Sequence, residues 1–225
     1  MDSPSSCSYK SKYYVLVEGN IAVGKSTFLK RLEQNLGNNA KVLPEPIDTW
    51  TNFKGQNLLN EMYLDPAKNS FRFQTYVQLS IGSIQHKTSK KPIKIMERSL
   101  NSGRFIFTEA MFKLGHIDFM EYNIIDEWFQ WLTNISPKVD EIIYLKASPE
   151  VALKRLNKRN RFGESGVSLD YLTTLHELHE KWLMSGSHDA KIRVVDQNQS
   201  LQYSLQIADS IASEIKSKIY PHLLN

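Results

Sequence analysis

Residues Gly19-Asn20-Ile21-Ala22-Val23-Gly24-Lys25-Ser26 satisfy the spacing G-x-x-x-x-G-K-[ST], and Thr27 follows directly. That spacing suits the cradling of phosphate. Glycines let a short loop turn tightly, so that successive backbone N–H groups converge on phosphate oxygens. A helix opening at the end of the loop adds its positive amino-terminal partial charge. Lys25 is then placed to reach β- and γ-phosphates, and the Ser26 hydroxyl to help hold Mg²⁺. Residues 19–27 are expected to bind a nucleoside triphosphate, ATP or GTP.

Other charged residues bear on what the phosphate is moved to. Glu45 stands in Pro44-Glu45-Pro46. A hydroxyl is a poor nucleophile at neutral pH, and a carboxylate that takes its proton is the group such an acceptor needs. A nucleotide acceptor already carries an anionic phosphate and would need a cationic clamp instead. Glu97 and Arg98 occur in Ile95-Met96-Glu97-Arg98-Ser99. Beside a phosphate loop, Glu97 can hold Mg²⁺ directly or through water. Arg98 can stabilise charge on the transferring group or hold Glu45 in place. Local sequence alone also fits plainer roles, with Glu45 as a helix cap and Glu97–Arg98 as an ion pair at a helix start. Further along, Arg159 and Arg161 precede Gly163, a pattern that suits a lid closing on phosphates. A solvated basic helix end is the alternative there.

These residues must be positioned by an alternation of apolar β-rich runs and longer helical patterns, the signature of an α/β protein with a parallel sheet. The strand candidates are Tyr13–Glu18, Lys41–Pro44, Ile93–Glu97, Glu141–Leu145 and Ile192–Val195. Helical periodicity covers Ser26–Leu36, Gln56–Tyr63, Pro66–His86, Asn101–Lys113, Phe119–Thr133, Pro149–Lys158, Ser168–Met184 and Leu201–Ile219. In this scheme the phosphate loop joins the first strand to the first helix. Glu45 and Glu97 lie at strand carboxyl ends, where open α/β sheets place ligands.

The chain has 225 residues, 41% hydrophobic and 23% charged, enough for one domain with a full core. We expect a tail over residues 1–12 and one domain over 13–225. Cys7 is the only cysteine, so no intrachain disulfide supports the fold. The net charge of +4 is concentrated around Lys154, Arg155, Lys158, Arg159 and Arg161. A local cluster of this kind suits a small polyanion better than nucleic acid. No run approaches the ~18 apolar residues of a membrane span. The composition points to the cytoplasm, with mitochondria and nucleus left open. The guanine-reading patterns Asp-x-x-Gly and Asn-Lys-x-Asp are absent from the sequence. His176 and His179 lack further ligands at metal-binding spacing and read as packing residues.

Together, residues 19–27, Glu45-Pro46, Glu97-Arg98-Ser99 and Arg159-x-Arg161-x-x-Glu164 resemble the deoxyribonucleoside kinases. Asn57–Tyr63, Phe73–Val77 and Leu175–Glu180 extend the likeness over nearly the whole chain. The resemblance implies a five-stranded parallel sheet in the order 2-3-1-4-5, a homodimer, and transfer of the γ-phosphate of ATP to a deoxyribonucleoside 5′-hydroxyl. It makes Glu45 the general base with Arg98 beside it, and gives the sugar 3′-hydroxyl to Tyr63 and Glu164. Gln74 would pair with the base between walls of Trp50, Phe73 and Phe107, with Phe107 crowding a ribose 2′-hydroxyl. Val77, Ile81 and Gly103 would form an uncharged pocket floor with room for the 5-methyl of thymine. Relatives that prefer purines or cytidine carry Arg and Asp there. Thymidine and deoxycytidine are thus the expected substrates, although Ile81 and Gly103 stand where thymidine-accepting members carry Met and Ala. Feedback inhibition by a deoxynucleoside triphosphate is a further implication. The rival readings are a nucleoside monophosphate kinase and a non-catalytic nucleotide-binding protein.

Overall fold

Five short runs rich in Val, Ile, Leu and Tyr pair side by side: β1 (Tyr13–Glu18), β2 (Ala40–Leu43), β3 (Ile93–Glu97), β4 (Glu141–Lys146) and β5 (Lys191–Asp196). The computed structural model describes residues 12–161, 166–186 and 188–219 of the chain. Every pairing is parallel, and the strand order is β2-β3-β1-β4-β5. Residue alternation sends neighbouring side chains of a strand to opposite faces. In β1, Val15 and Val17 enter one core layer, while Leu16 joins Met96, Ile142 and Tyr144 in the other. Apolar side chains are buried on both faces, as a parallel sheet covered by helices requires.

Helices α1 (Lys25–Leu36) and α10 (Leu201–Ile219) pack together. An Arg31–Asp209 ion pair of 2.6 Å joins them at the surface. After β2 the chain forms α2 (Ile47–Thr51), α3 (Leu58–Leu64) and the long α4 (Pro66–His86). The short α2 was not expected from periodicity, because five residues are too few to display it. Asn57 caps α3 by accepting from the Asn60 amide, and Asp65 followed by Pro66 starts α4.

Beyond β3 lie α5 (Leu100–Ser102) and α6 (Glu109–Lys113), joined by the π-helical turn Gly103–Thr108. The sequence suggested one regular helix over residues 101–113, and here the structure corrects it. The Glu109 amide donates to the carbonyl of Arg104, five residues back. Arg104 is anchored by ion pairs to Asp126 and Glu109, and Phe105 packs edge-on against Phe129. These tertiary ties accompany the widened turn, a form that recurs at functional sites.

Three helices complete the chain's described part: α7 (Phe119–Asn134), α8 (Pro149–Arg159) and α9 (Leu169–Leu183). Asp118 and Glu121 cap the start of α7 reciprocally, and the Ser148 and Ser168 hydroxyls cap α8 and α9. Asn160, in a left-handed conformation with φ 46°, ends α8. Residues 1–11 of the expected tail lie outside the described residues. Lys12, the last residue of that tail, is tied to the body by donation to the Ser89 carbonyl. Among the described residues, no helix is long and apolar enough to cross a membrane.

Candidate active site

The carboxyl ends of β1, β2, β3 and β5 open onto a cavity of about 640 Å³. The loop from β1 to α1 supplies Ile21 to Ser26 and Thr27 to its wall. Gly19 enters this loop at φ 146°, and a Cβ there would lie 2.5 Å from the Leu145 carbonyl oxygen of β4. Only glycine admits that approach. Asn20 does not line the cavity; its side chain braces the loop, with Nδ2 donating to the Leu172 carbonyl and Oδ1 accepting from the Ile21 amide. Lys25 opens α1 and donates through Nζ to the carbonyls of Gly19 and Asn20. Burial, reinforced by the charge of Arg98, lowers the Lys25 ammonium to about 8.

Ser26 and Glu97 meet across the loop. The hydroxyl lies 3.3 and 3.2 Å from the two carboxylate oxygens. Next in the chain, Arg98 adopts a left-handed backbone with φ 61°, a strained state for a residue with a Cβ. The turn swings its guanidinium into the cavity. Nε stands 2.7 Å from Glu45 Oε1, Nη1 donates to the Gly19 carbonyl, and the guanidinium carbon lies 4.5 Å from the Phe107 ring centre. One arginine thereby joins Glu45, the phosphate loop and an aromatic wall. The Glu45–Arg98 contact is an ion pair in which Nε–H is not aimed along a hydrogen bond.

The cavity has two chemical halves. Lys25, Arg155, Lys158, Arg159 and Arg161 make one end cationic. Arg155 additionally clamps the loop by donating from Nη1 to the Val23 carbonyl. The other half is apolar and aromatic, lined by Trp50, Tyr63, Phe73, Val77, Ile81, Gly103 and Phe107, with Gln74 set among them. Trp50 meets Phe73 edge-on at 5.7 Å, and its indole N–H donates to the Ser80 hydroxyl. Gln74 is 1% exposed, and its Oε1 has no partner among the described residues. Glu45, Glu97 and Arg98 stand in the wall of the same cavity. Of the candidate residues read from sequence, Glu164 alone lies outside the described residues.

The structure adds residues that sequence reasoning passed over. Ile47, Leu59, Met62 and Tyr171 complete the apolar half, and Gln197, Leu201 and Ser204 face the phosphate loop end. Their types are ordinary core or surface types, so only folding could reveal them. Behind the loop, Glu18 is fully buried and accepts from the Ser99 hydroxyl at 2.6 Å. Burial raises its carboxyl to about 7. A glutamate directly before the first glycine was visible in sequence but read only as the strand end. His179 is fully buried, with Nδ1 2.6 Å from the Leu175 carbonyl and its ring stacked on Tyr144. Burial lowers it to about 3, so the imidazole is neutral with its proton on Nδ1.

A triphosphate loop at the end of a central parallel strand, facing a carboxylate, an arginine and a closed apolar pocket, defines a P-loop phosphotransferase acting on a small molecule. The profile of the deoxynucleoside kinase family matches residues 15–220. The chain therefore belongs to the deoxynucleoside kinase family. It is 36% identical over 202 residues to the mitochondrial thymidine kinase 2 of Homo sapiens, covering 88% of this chain and 76% of the relative. Deoxycytidine kinase 2 of Gallus gallus is 33% identical over 236 residues, 90% of this chain and 89% of its own. Deoxycytidine kinase of Homo sapiens is 37% identical over 195 residues, 76% of this chain and 75% of its own.

Proposed function

We propose that the chain transfers the γ-phosphate of ATP to the 5′-hydroxyl of pyrimidine deoxyribonucleosides, thymidine and deoxycytidine first, in nucleoside salvage. The observation that carries this reading is the Glu45–Arg98 pair, standing where the cationic and apolar halves of one cavity meet. A nucleoside in the apolar half would have its sugar beside Glu45 and the donor's γ-phosphate beside Lys25. Glu45 takes the 5′-hydroxyl proton, the oxygen attacks phosphorus, and ADP leaves with the bridging oxygen. Arg98 holds Glu45 in place through the 2.7 Å ion pair and stabilises charge on the transferring group. Gln74 pairs with the base, Trp50, Phe73 and Phe107 flank it, and Tyr63 with Glu164 takes the 3′-hydroxyl. Val77, Ile81 and Gly103 offer no charge to a purine-specific or cytosine-specific contact, which supports pyrimidines.

Ser26 and Glu97 place hard oxygen donors side by side at the loop, a set that fits Mg²⁺. They would hold the ion, which when bound neutralises charge on the β- and γ-phosphate oxygens. Arg159 and Arg161 close over the donor as part of the lid. A deoxynucleoside triphosphate spanning both halves would act as feedback inhibitor. Residues 13–225 work as one catalytic domain, in the cytoplasm, and two copies associate as a homodimer.

Replacement Glu45→Gln tests the reading. Turnover of thymidine should fall by about 10²–10⁴-fold, with ATP binding retained. Unchanged turnover removes Glu45 as the base. Assay of thymidine monophosphate as acceptor separates the rival: phosphorylation of the monophosphate in preference to thymidine would identify a nucleotide kinase.

A further inference from the structure

The wall of the apolar half hides a second amide. Gln78 follows Gln74 by four residues on α4, so the two project from the same face one turn apart. Gln78 is 2% exposed, and among the described residues neither its Oε1 nor its Nε2 has a hydrogen-bond partner. An amide buried with both ends unmet is unfavourable, and such groups call for a reason. Opposite it stands Gly103, at the start of the π-helical turn. A Cβ on residue 103 would lie 3.6 Å from Gln78 Nε2 and 3.9 Å from Val77 Cγ1, ordinary contact distances. The missing side chain therefore leaves a methyl-sized space beside the amide. Gly103 and Val77 both line the cavity, so the space borders it.

In a pyrimidine that pairs with Gln74 through N3 and its 4-substituent, C5 is the next ring atom along that edge, and Gln78 is the next residue along the same helix face. A methyl group at C5 offers the amide nothing. A hydroxyl one carbon further out is both donor and acceptor, matching either end of Gln78. We propose that Gln78, reached past Gly103, is a second base-reading residue, and that the pocket accepts pyrimidine deoxynucleosides carrying a small hydrogen-bonding substituent at C5. A hydroxymethyl group is the simplest case. The inference rests on the pairing of the base with Gln74 proposed above.

The test measures kcat/KM of the full chain with thymidine and with 5-hydroxymethyl-2′-deoxyuridine. The variants are Gln78→Met, which keeps length but removes the amide, and Gly103→Ala, which fills the space. In the unaltered chain the hydroxymethyl substrate should be used at least as efficiently as thymidine. Each variant should lower the ratio of the two efficiencies about tenfold, chiefly through KM, as loss of one hydrogen bond does. The double variant should lose no more than the larger single one, since both remove the same contact. Gly103→Ala leaves the amide in place, so the comparison survives a Gln78→Met chain that fails to fold. A ratio within about twofold of the unaltered chain in Gly103→Ala, or additive losses in the double variant, overturns the proposal; an amide satisfied by buried water gives that result. Failure to use thymidine and deoxycytidine at all would overturn the pocket reading itself, and this inference with it.

Discussion

Lys25 and Glu18 face opposite electrostatic problems at the same loop. Lys25 is held near 8 by burial and by Arg98, so it keeps its charge below that pH and loses it above. Its attraction for triphosphate should fade as pH rises through about 8. We expect kcat/KM for ATP, which reports the free enzyme, to fall along an alkaline limb centred there. A flat profile from pH 7 to 10 would contradict that placement of Lys25. Glu18 is raised from 4.5 to about 7. Its protonated form is the one the folded chain favours, so the stability linked to it is full below about pH 4.5 and is lost as pH rises through 7. Glu18→Gln keeps an acceptor for Ser99 and removes the buried charge. At pH 8 the variant should unfold at higher denaturant than the parent, by roughly 3 kcal/mol at most, with the difference gone below pH 4.5. Equal stability of the two chains at pH 8 would show Glu18 to be unstrained.

At the scale of elements, the site depends on where strand ends meet the turns that follow them. The turn after β1 passes so close to β4 that Gly19 has no room for a Cβ, and its φ of 146° is outside the range side chains adopt readily. Gly19→Ala must displace either the loop or the Leu145 carbonyl. We expect a loss of about 1–3 kcal/mol in stability together with a clear loss of ATP affinity, read by calorimetry. Native stability and binding would mean that β4 yields. Another junction, after β3, uses strain differently: the φ of 61° at Arg98 aims its guanidinium at Glu45 and Gly19. The π-helical turn beyond it carries Gly103 and Phe107 into the cavity.

For the whole molecule, α4 and α7 pack together and still leave large apolar groups outside. Phe119 is 72% exposed, and Met120, Trp128, Trp131 and Leu79 are also exposed. Exposed large apolar groups, with Trp128 and Trp131 in contact edge-on, mark an interaction surface, and they support the proposed homodimer. Sedimentation should give twice the monomer mass for the parent chain. Trp128→Glu with Trp131→Glu should give a monomer, because a charge at each ring would have to be buried. A parent chain that sediments as a monomer removes the proposal.

Much of this was legible in the amino-acid order. The phosphate-loop spacing and strand runs such as Tyr13–Glu18 and Ile93–Glu97 are local signals, set by backbone conformation and residue period over a few neighbours. They determined the P-loop architecture and the strand candidates from which the sheet is built; the strand order itself was implied by the family likeness. Tertiary structure alone decided three other things: the π-helical turn at Gly103–Thr108, the left-handed turn at Arg98, and the seating of Gln78 behind Gly103. Each depends on contacts between groups far apart in sequence, such as Arg104 with Asp126 or Arg98 with Glu45, and no periodicity encodes those. The phosphate loop that opened the reading thus announces itself within nine residues, Gly19 to Thr27. The pocket that selects its substrate exists only once α3, α4 and the turn after β3 have closed around it.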